Sequence, residues 1–90
     1  MTMTMPNVTS IGNYAFSYCW LTNVTMPNAT NIGHYAFETC NLTNVTMPNV
    51  ISIGHYAFIG CTYLTSVTIG SRIQGIGSSA FDPSGQPITL

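Results

Sequence analysis

The stretch Leu21-Thr22-Asn23-Val24-Thr25-Met26-Pro27-Asn28 returns as Leu42-Thr43-Asn44-Val45-Thr46-Met47-Pro48-Asn49, an offset of 21 residues. Met5-Pro6-Asn7 is the tail of an earlier copy, and Leu64-Thr65-Ser66-Val67-Thr68-Ile69 opens a later, looser one. The remainder of the unit recurs as well. Ile11-Gly12, Ile32-Gly33, Ile53-Gly54 and Ile76-Gly77 precede Ala15-Phe16, Ala36-Phe37, Ala57-Phe58 and Ala80-Phe81, and Cys19, Cys40 and Cys61 each follow a Phe by three residues.

A fixed period of this size lies in the leucine-rich-repeat range and is too short for helical-pair repeats or propeller blades. Within the unit, Leu21-x-x-Val24-x-Met26 alternates as a strand does, with Val24 and Met26 inward and Asn23 and Thr25 outward. Pro27 cannot donate to a ladder and ends the strand. Coils stacked about 4.8 Å apart turn each inward position into a column of like residues. The columns are Leu21/Leu42/Leu64, Val24/Val45/Val67, Met5/Met26/Met47/Ile69, Val8/Ala29/Val50, Ile11/Ile32/Ile53/Ile76 and the Ala, Phe and Cys sets. The predicted fold is a repeat solenoid of leucine-rich-repeat type, with one parallel β-sheet face and irregular or 3-10 turns on the other, in about four coils of 21–23 residues. Coils fall at approximately 1–20, 21–41, 42–63 and 64–87, and Ile88-Thr89-Leu90 reads as the start of a further strand. No polar cap is visible at the start, so a single array over 1–90 is expected to be a segment of a longer array or an uncapped assembling subunit. The run Asp82-Pro83-Ser84-Gly85-Gln86-Pro87 reads as loop.

Ile-Gly-x-Tyr-Ala-Phe-x-x-Cys, at Ile11 to Cys19, Ile32 to Cys40 and Ile53 to Cys61, resembles the BspA-like, or Treponema-type, leucine-rich repeat. The resemblance covers essentially residues 1–81; the fourth copy departs from it with Ser78-Ser79 in place of Tyr and Ser84 in place of Cys. It implies a secreted or surface-attached, non-enzymatic protein of mucosal bacteria or protozoa, associated with adhesion.

Composition narrows the function classes independently. Of 90 residues 46% are apolar, and three are charged: Glu38, Arg72 and Asp82. A net charge of −1 leaves no basic stripe for nucleic acid and no polybasic segment for anionic lipid. The apolar runs are too short for a helical span, so membrane insertion is not expected. The first residues, Met1-Thr2-Met3-Thr4-Met5-Pro6, lack the basic and continuous apolar regions of a secretory leader.

Catalysis has little raw material. No Asp or Glu recurs to orient His34 or His55, and no Ser sits in a nucleophile elbow. His34 and His55 lie six residues before Cys40 and Cys61, on another part of the coil, so no metal site and no cofactor are expected. The cysteines read as buried thiols. Candidate aromatic anchors are Trp20 and the column Tyr14, Tyr35 and Tyr56. The candidate binding face is the outward row of Asn23, Thr25, Asn44, Thr46, Ser66 and Thr68, preceded by Thr2 and Thr4.

Five N-x-T triplets make Asn7, Asn23, Asn28, Asn41 and Asn44 candidate N-glycosylation acceptors. Asn7 and Asn28, just after the proline, are expected to be used before Asn23 and Asn44, whose column is too narrow for two glycans and suits an amide ladder instead. The functional expectation is an extracellular or cell-surface adhesion protein that binds a protein or glycan ligand on another cell or matrix. The alternative is a structural subunit that self-associates end to end into a fibre. Ice binding by the regular Thr rows is a minor third reading.

Overall fold

The structure, a computed structural model, describes residues 1–81. The expected strand at Ile88–Leu90, the loop 82–87 and the charge of Asp82 lie outside the described residues. Eight strands alternate between two lengths. The three-residue strands β1 (Thr2–Thr4), β3 (Asn23–Thr25), β5 (Asn44–Thr46) and β7 (Ser66–Thr68) alternate along the chain with the two-residue strands β2 (Ser10–Ile11), β4 (Asn31–Ile32), β6 (Ser52–Ile53) and β8 (Gly75–Ile76). Each coil returns the chain to its starting side in the same direction, so both sets pair in parallel, as β1-β3-β5-β7 and β2-β4-β6-β8.

The register pairs Thr2, Asn23, Asn44 and Ser66 across one row, Met3, Val24, Val45 and Val67 across the next, and Thr4, Thr25, Thr46 and Thr68 across the third. Val24, Val45 and Val67 are buried. Strand alternation then sends the Asn and Thr rows outward, because a one-residue slip would exchange the faces. Met3 thus joins the Val column, which the sequence pattern alone does not assign.

Opposite this sheet, where irregular turns were expected, stands the second four-stranded ladder, with Ile11, Ile32 and Ile53 turned into the core. Beyond each Ile the coil turns through Gly-x-Tyr-Ala-Phe. Ala15, Ser17 and Cys19 donate their N–H groups to the carbonyls of Gly12, Tyr14 and Phe16 within the coil. Tyr14, Phe16 and Tyr18 donate instead to His34, Ala36 and Glu38 in the next coil. This alternation requires a left-handed backbone at Tyr14 (φ 60°), Tyr35 (57°), Tyr56 (59°) and Ser79 (53°), and again at Tyr18, Thr39 and Gly60. In that region Cβ crowds the following carbonyl, so side chains other than Gly or Asn are strained there.

Glycine is needed at the turn for a different reason. A Cβ on Gly33 would lie 2.7 Å from the Asn13 backbone N, and one on Gly54 2.6 Å from that of His34. Coils approach at backbone contact along this column. The core between the two ladders holds Phe37 and Phe58 with Leu42, Leu64, Met26, Met47 and Val50, all at 0–1% exposure. Phe16, Phe37, Phe58 and Phe81 stack ring on ring, with centroids 5.2–5.3 Å apart, inside the range of favourable aromatic pairs.

Candidate functional site

The candidate binding face is the outer side of β1, β3, β5 and β7, where strand geometry holds two parallel rows at fixed rung spacing. In the first row Asn44 Nδ2 donates to Asn23 Oδ1 at 3.1 Å, an amide rung between coils. Thr22, Thr43 and Thr65 border the face, and Thr43 and Thr65 donate their hydroxyls to the Thr22 and Thr43 carbonyls. None of these residues carries charge, so the face offers hydrogen bonds and Thr methyl groups only. Pro27 and Pro48 end the strands, and the Asn that follows a proline reaches one coil back: Asn28 Nδ2 donates to Pro6 O at 2.6 Å and Asn49 Nδ2 to Pro27 O at 2.7 Å.

The tyrosine column forms a stack. Tyr14 and Tyr35 have centroids 4.9 Å apart with planes 3° off parallel, and Tyr35 and Tyr56 follow at 5.0 Å. Tyr35 lies between two rings and presents its edge and hydroxyl, whereas Tyr14 and Tyr56 at the ends of the stack each have one face covered by a ring. Burial within the stack, and then the neighbouring Tyr14 and Tyr56 hydroxyls, raise the Tyr35 hydroxyl above its ordinary value. Trp20 stands apart at 80% exposure, with Tyr18 and Tyr63 also open to solvent. Trp20 and Tyr18 border an apolar depression shared with Met1, Met3, Phe16, Cys19 and Leu21.

The Asn13, His34 and His55 column has a role that sequence reasoning missed. Asn13 Oδ1 accepts the His34 N–H at 2.8 Å, His34 Nδ1 accepts the His55 N–H at 2.8 Å, and His55 Nδ1 accepts the Ser78 N–H at 2.8 Å. The two imidazoles stack with centroids 5.0 Å apart. A neutral ring that accepts at Nδ1 carries its proton at Nε2, so the outward nitrogen is a donor and not a metal ligand. Among the described residues no three His, Cys, Asp or Glu side chains cluster as a metal site would need, and no helix is long and apolar enough to cross a membrane. The signal in the sequence was the sharing of one column by Asn and His, whose common property is an acceptor at the same distance from the backbone.

The comparisons bear on the whole array. A family model described as "BspA type Leucine rich repeat region (6 copies)" matches residues 1–88. The chain belongs to this family. No curated protein and no solved structure matches it. BspA-type repeat proteins are often surface-associated and generally non-enzymatic. In this BspA-type array the cysteines that close each motif are unpaired thiols. Cys40 Sγ–H donates to Phe16 O and Cys61 Sγ–H to Phe37 O, both at 3.0 Å, so each ties its coil to the preceding one. The adjoining Cys61 thiol and burial push Cys40 above the ordinary thiol range, and burial does the same for Cys19. The enclosed Cys40 thiol, held protonated, is a poor nucleophile; the expectation of buried thiols holds for Cys40 and Cys61, whereas Cys19, in the first coil, is only partly buried. The five candidate acceptors are placed unequally: Asn23 and Asn44 pair with each other, Asn28 holds Pro6, and Asn7 and Asn41 are exposed without a side-chain hydrogen bond among the described residues.

Proposed function

We propose that the chain is an extracellular or cell-surface adhesion domain that binds a protein or glycan ligand through the Asn and Thr rows of its three-residue strands. The observation that carries this reading is the regular, uncharged face built from Asn23, Thr25, Asn44, Thr46, Ser66 and Thr68 on three parallel strands. A fixed array of donors and acceptors loses little freedom on binding, and complementarity of shape and hydrogen bonding does the selecting. No charge is needed, in keeping with a surface that holds so little of it. The test is adherence of beads coated with the chain to cultured epithelial cells. Asn44→Lys with Thr46→Lys puts two charges on the face and leaves the core columns intact; adherence should fall at least about ten-fold. Unchanged adherence by a variant with wild-type circular dichroism would remove the face from the reading.

A second reading is a fibre-forming structural subunit, in which the coils of a second copy continue the parallel ladders β1-β3-β5-β7 and β2-β4-β6-β8. Filaments that lengthen with concentration in electron micrographs support this reading, and a monomer at every concentration in sedimentation opposes it.

A further inference from the structure

We propose that Asn41 is an N-glycosylation site whose first sugar is seated between Trp20 and Tyr63. The inference rests on the extracellular reading in one respect only, that transfer takes place in a secretory compartment.

Three independent observations meet at this position. The first is accessibility of the amide. Asn44 and Asn28 spend an Nδ2–H on Asn23 Oδ1 and on the Pro6 carbonyl, so a glycan on either crowds a bond between coils, while Asn23, which accepts through Oδ1, lies one rung from Asn44 in the same narrow column. Asn41 is exposed, follows the buried Cys40, and makes no side-chain hydrogen bond among the described residues.

The second observation is the column. The Thr43 N–H donates to Thr22 O and the Thr65 N–H to Thr43 O, which fixes Thr22, Thr43 and Thr65 as equivalent rungs. Two residues before each stand Trp20, Asn41 and Tyr63; the coil holding Tyr63 has gained one residue between Cys61 and Leu64. Asn41 is thus flanked along the axis by an indole at 80% exposure and a phenol ring at 62%. The apolar C–H face of a pyranose packs on such rings while its hydroxyls stay wet, since aromatic side chains combine an apolar body with a polar rim. Asn7 is also unencumbered, but its column continues as Asn28 and Asn49 and offers no ring.

The third observation is Trp20 itself. It is the chain's single tryptophan and stands in solvent beside the depression lined by Met1, Met3, Phe16 and Leu21, on a protein with almost no charge to keep it soluble. A sugar seated against the indole covers it.

The modification is an exchange at one carbon. Asn41 Nδ2 attacks the anomeric carbon of a lipid-pyrophosphate-linked oligosaccharide, the N–C bond forms as the C–O bond to pyrophosphate breaks, and the amide proton passes to a base of the transferase. The hydroxyl of Thr43, which the acceptor triplet requires, donates to the Thr22 carbonyl in the folded coil at 3.1 Å.

The experiment expresses the full chain behind a heterologous leader in a glycosylating eukaryotic cell and maps glycopeptides by mass spectrometry. Trp20 is the single tryptophan, so iodide quenching of intrinsic fluorescence reports on this place alone. Expected are an occupied Asn41, bare Asn23 and Asn44, and a Trp20 quenching constant roughly half that of Asn41→Gln and of wild type treated with peptide N-glycosidase. Tyr63→Ala should keep the occupancy and lose part of the protection. A bare Asn41 in folded, secreted protein overturns the proposal, as does an occupied Asn41 with unchanged quenching. An occupied, protected site on a chain that fails to adhere would sink the adhesion reading and leave this one standing.

Discussion

The two sides of each coil solve the same problem by different means. On the side of β1, β3, β5 and β7, three-residue strands pair rung to rung, and their side chains are left largely to face outward. On the Tyr-Ala-Phe side the flanking strands are two residues long, and a left-handed residue interrupts the backbone in every coil. Alternate backbone N–H groups there turn back within the coil, and side chains add to the register kept by the rest: the acceptors of Asn13, His34 and His55, the thiols of Cys40 and Cys61, and the stacked Tyr and Phe columns. Where strands supply the bonds between coils the side chains are available for recognition, and where the main chain supplies only half of them the side chains are committed to the fold.

The largest effect expected on this contrast is at its shared core. Phe37 is fully buried between Phe16 and Phe58, and Phe37→Ala should cost about 3–5 kcal/mol, enough to unfold so small a domain. A denaturation midpoint equal to wild type would place Phe37 outside the core. Next comes the closest approach of the coils. Gly54→Ala drives a methyl group into the His34 backbone and should cost roughly 1–3 kcal/mol by overpacking, whereas Gly12→Ala, with nothing within 4 Å, should cost under about 1 kcal/mol. Equal losses at both glycines would mean that backbone freedom, not contact between coils, decides the position.

The side-chain staples should be separable by chemistry. His55→Leu removes the acceptor of the exposed Ser78 N–H and should cost about 0.5–1.5 kcal/mol, while His55→Asn, which copies Asn13, should retain most of the stability. If urea melts rank Asn with Leu, ring stacking and not the acceptor holds the column. The smallest effect carries the opposite sign. Thr39 is a β-branched residue at φ 53° in the column where Gly60 sits at φ 77°, so Thr39→Gly should stabilise by roughly 0.5–1 kcal/mol. A lower midpoint would show that the Thr39 side chain contributes more than its strain costs.

What the sequence made legible follows the same division. Val24, Val45 and Val67 alternate with Asn and Thr over enough residues to reveal the outer face and its register, and the identical spacing of Phe and Cys exposes the core columns. The second ladder escaped because Ser10–Ile11 and its equivalents are too short to show alternation. The left-handed positions of the repeat escaped because all but Gly60 hold Tyr, Thr or Ser, where glycine would have been the signal. Of the candidate site, the outward rows and exposed Trp20 could be foreseen from position alone. The stacking that hides both faces of Tyr35, and the carbonyl that occupies Asn28, depend on what the neighbouring coil offers.

Every bond described between coils joins a residue to one a single repeat away, as Asn44 to Asn23 across 21 residues. Tension applied along the axis is therefore carried equally by similar junctions in series, and the weakest yields first. The array would lengthen in steps of one repeat, giving way link by link in place of parting all at once.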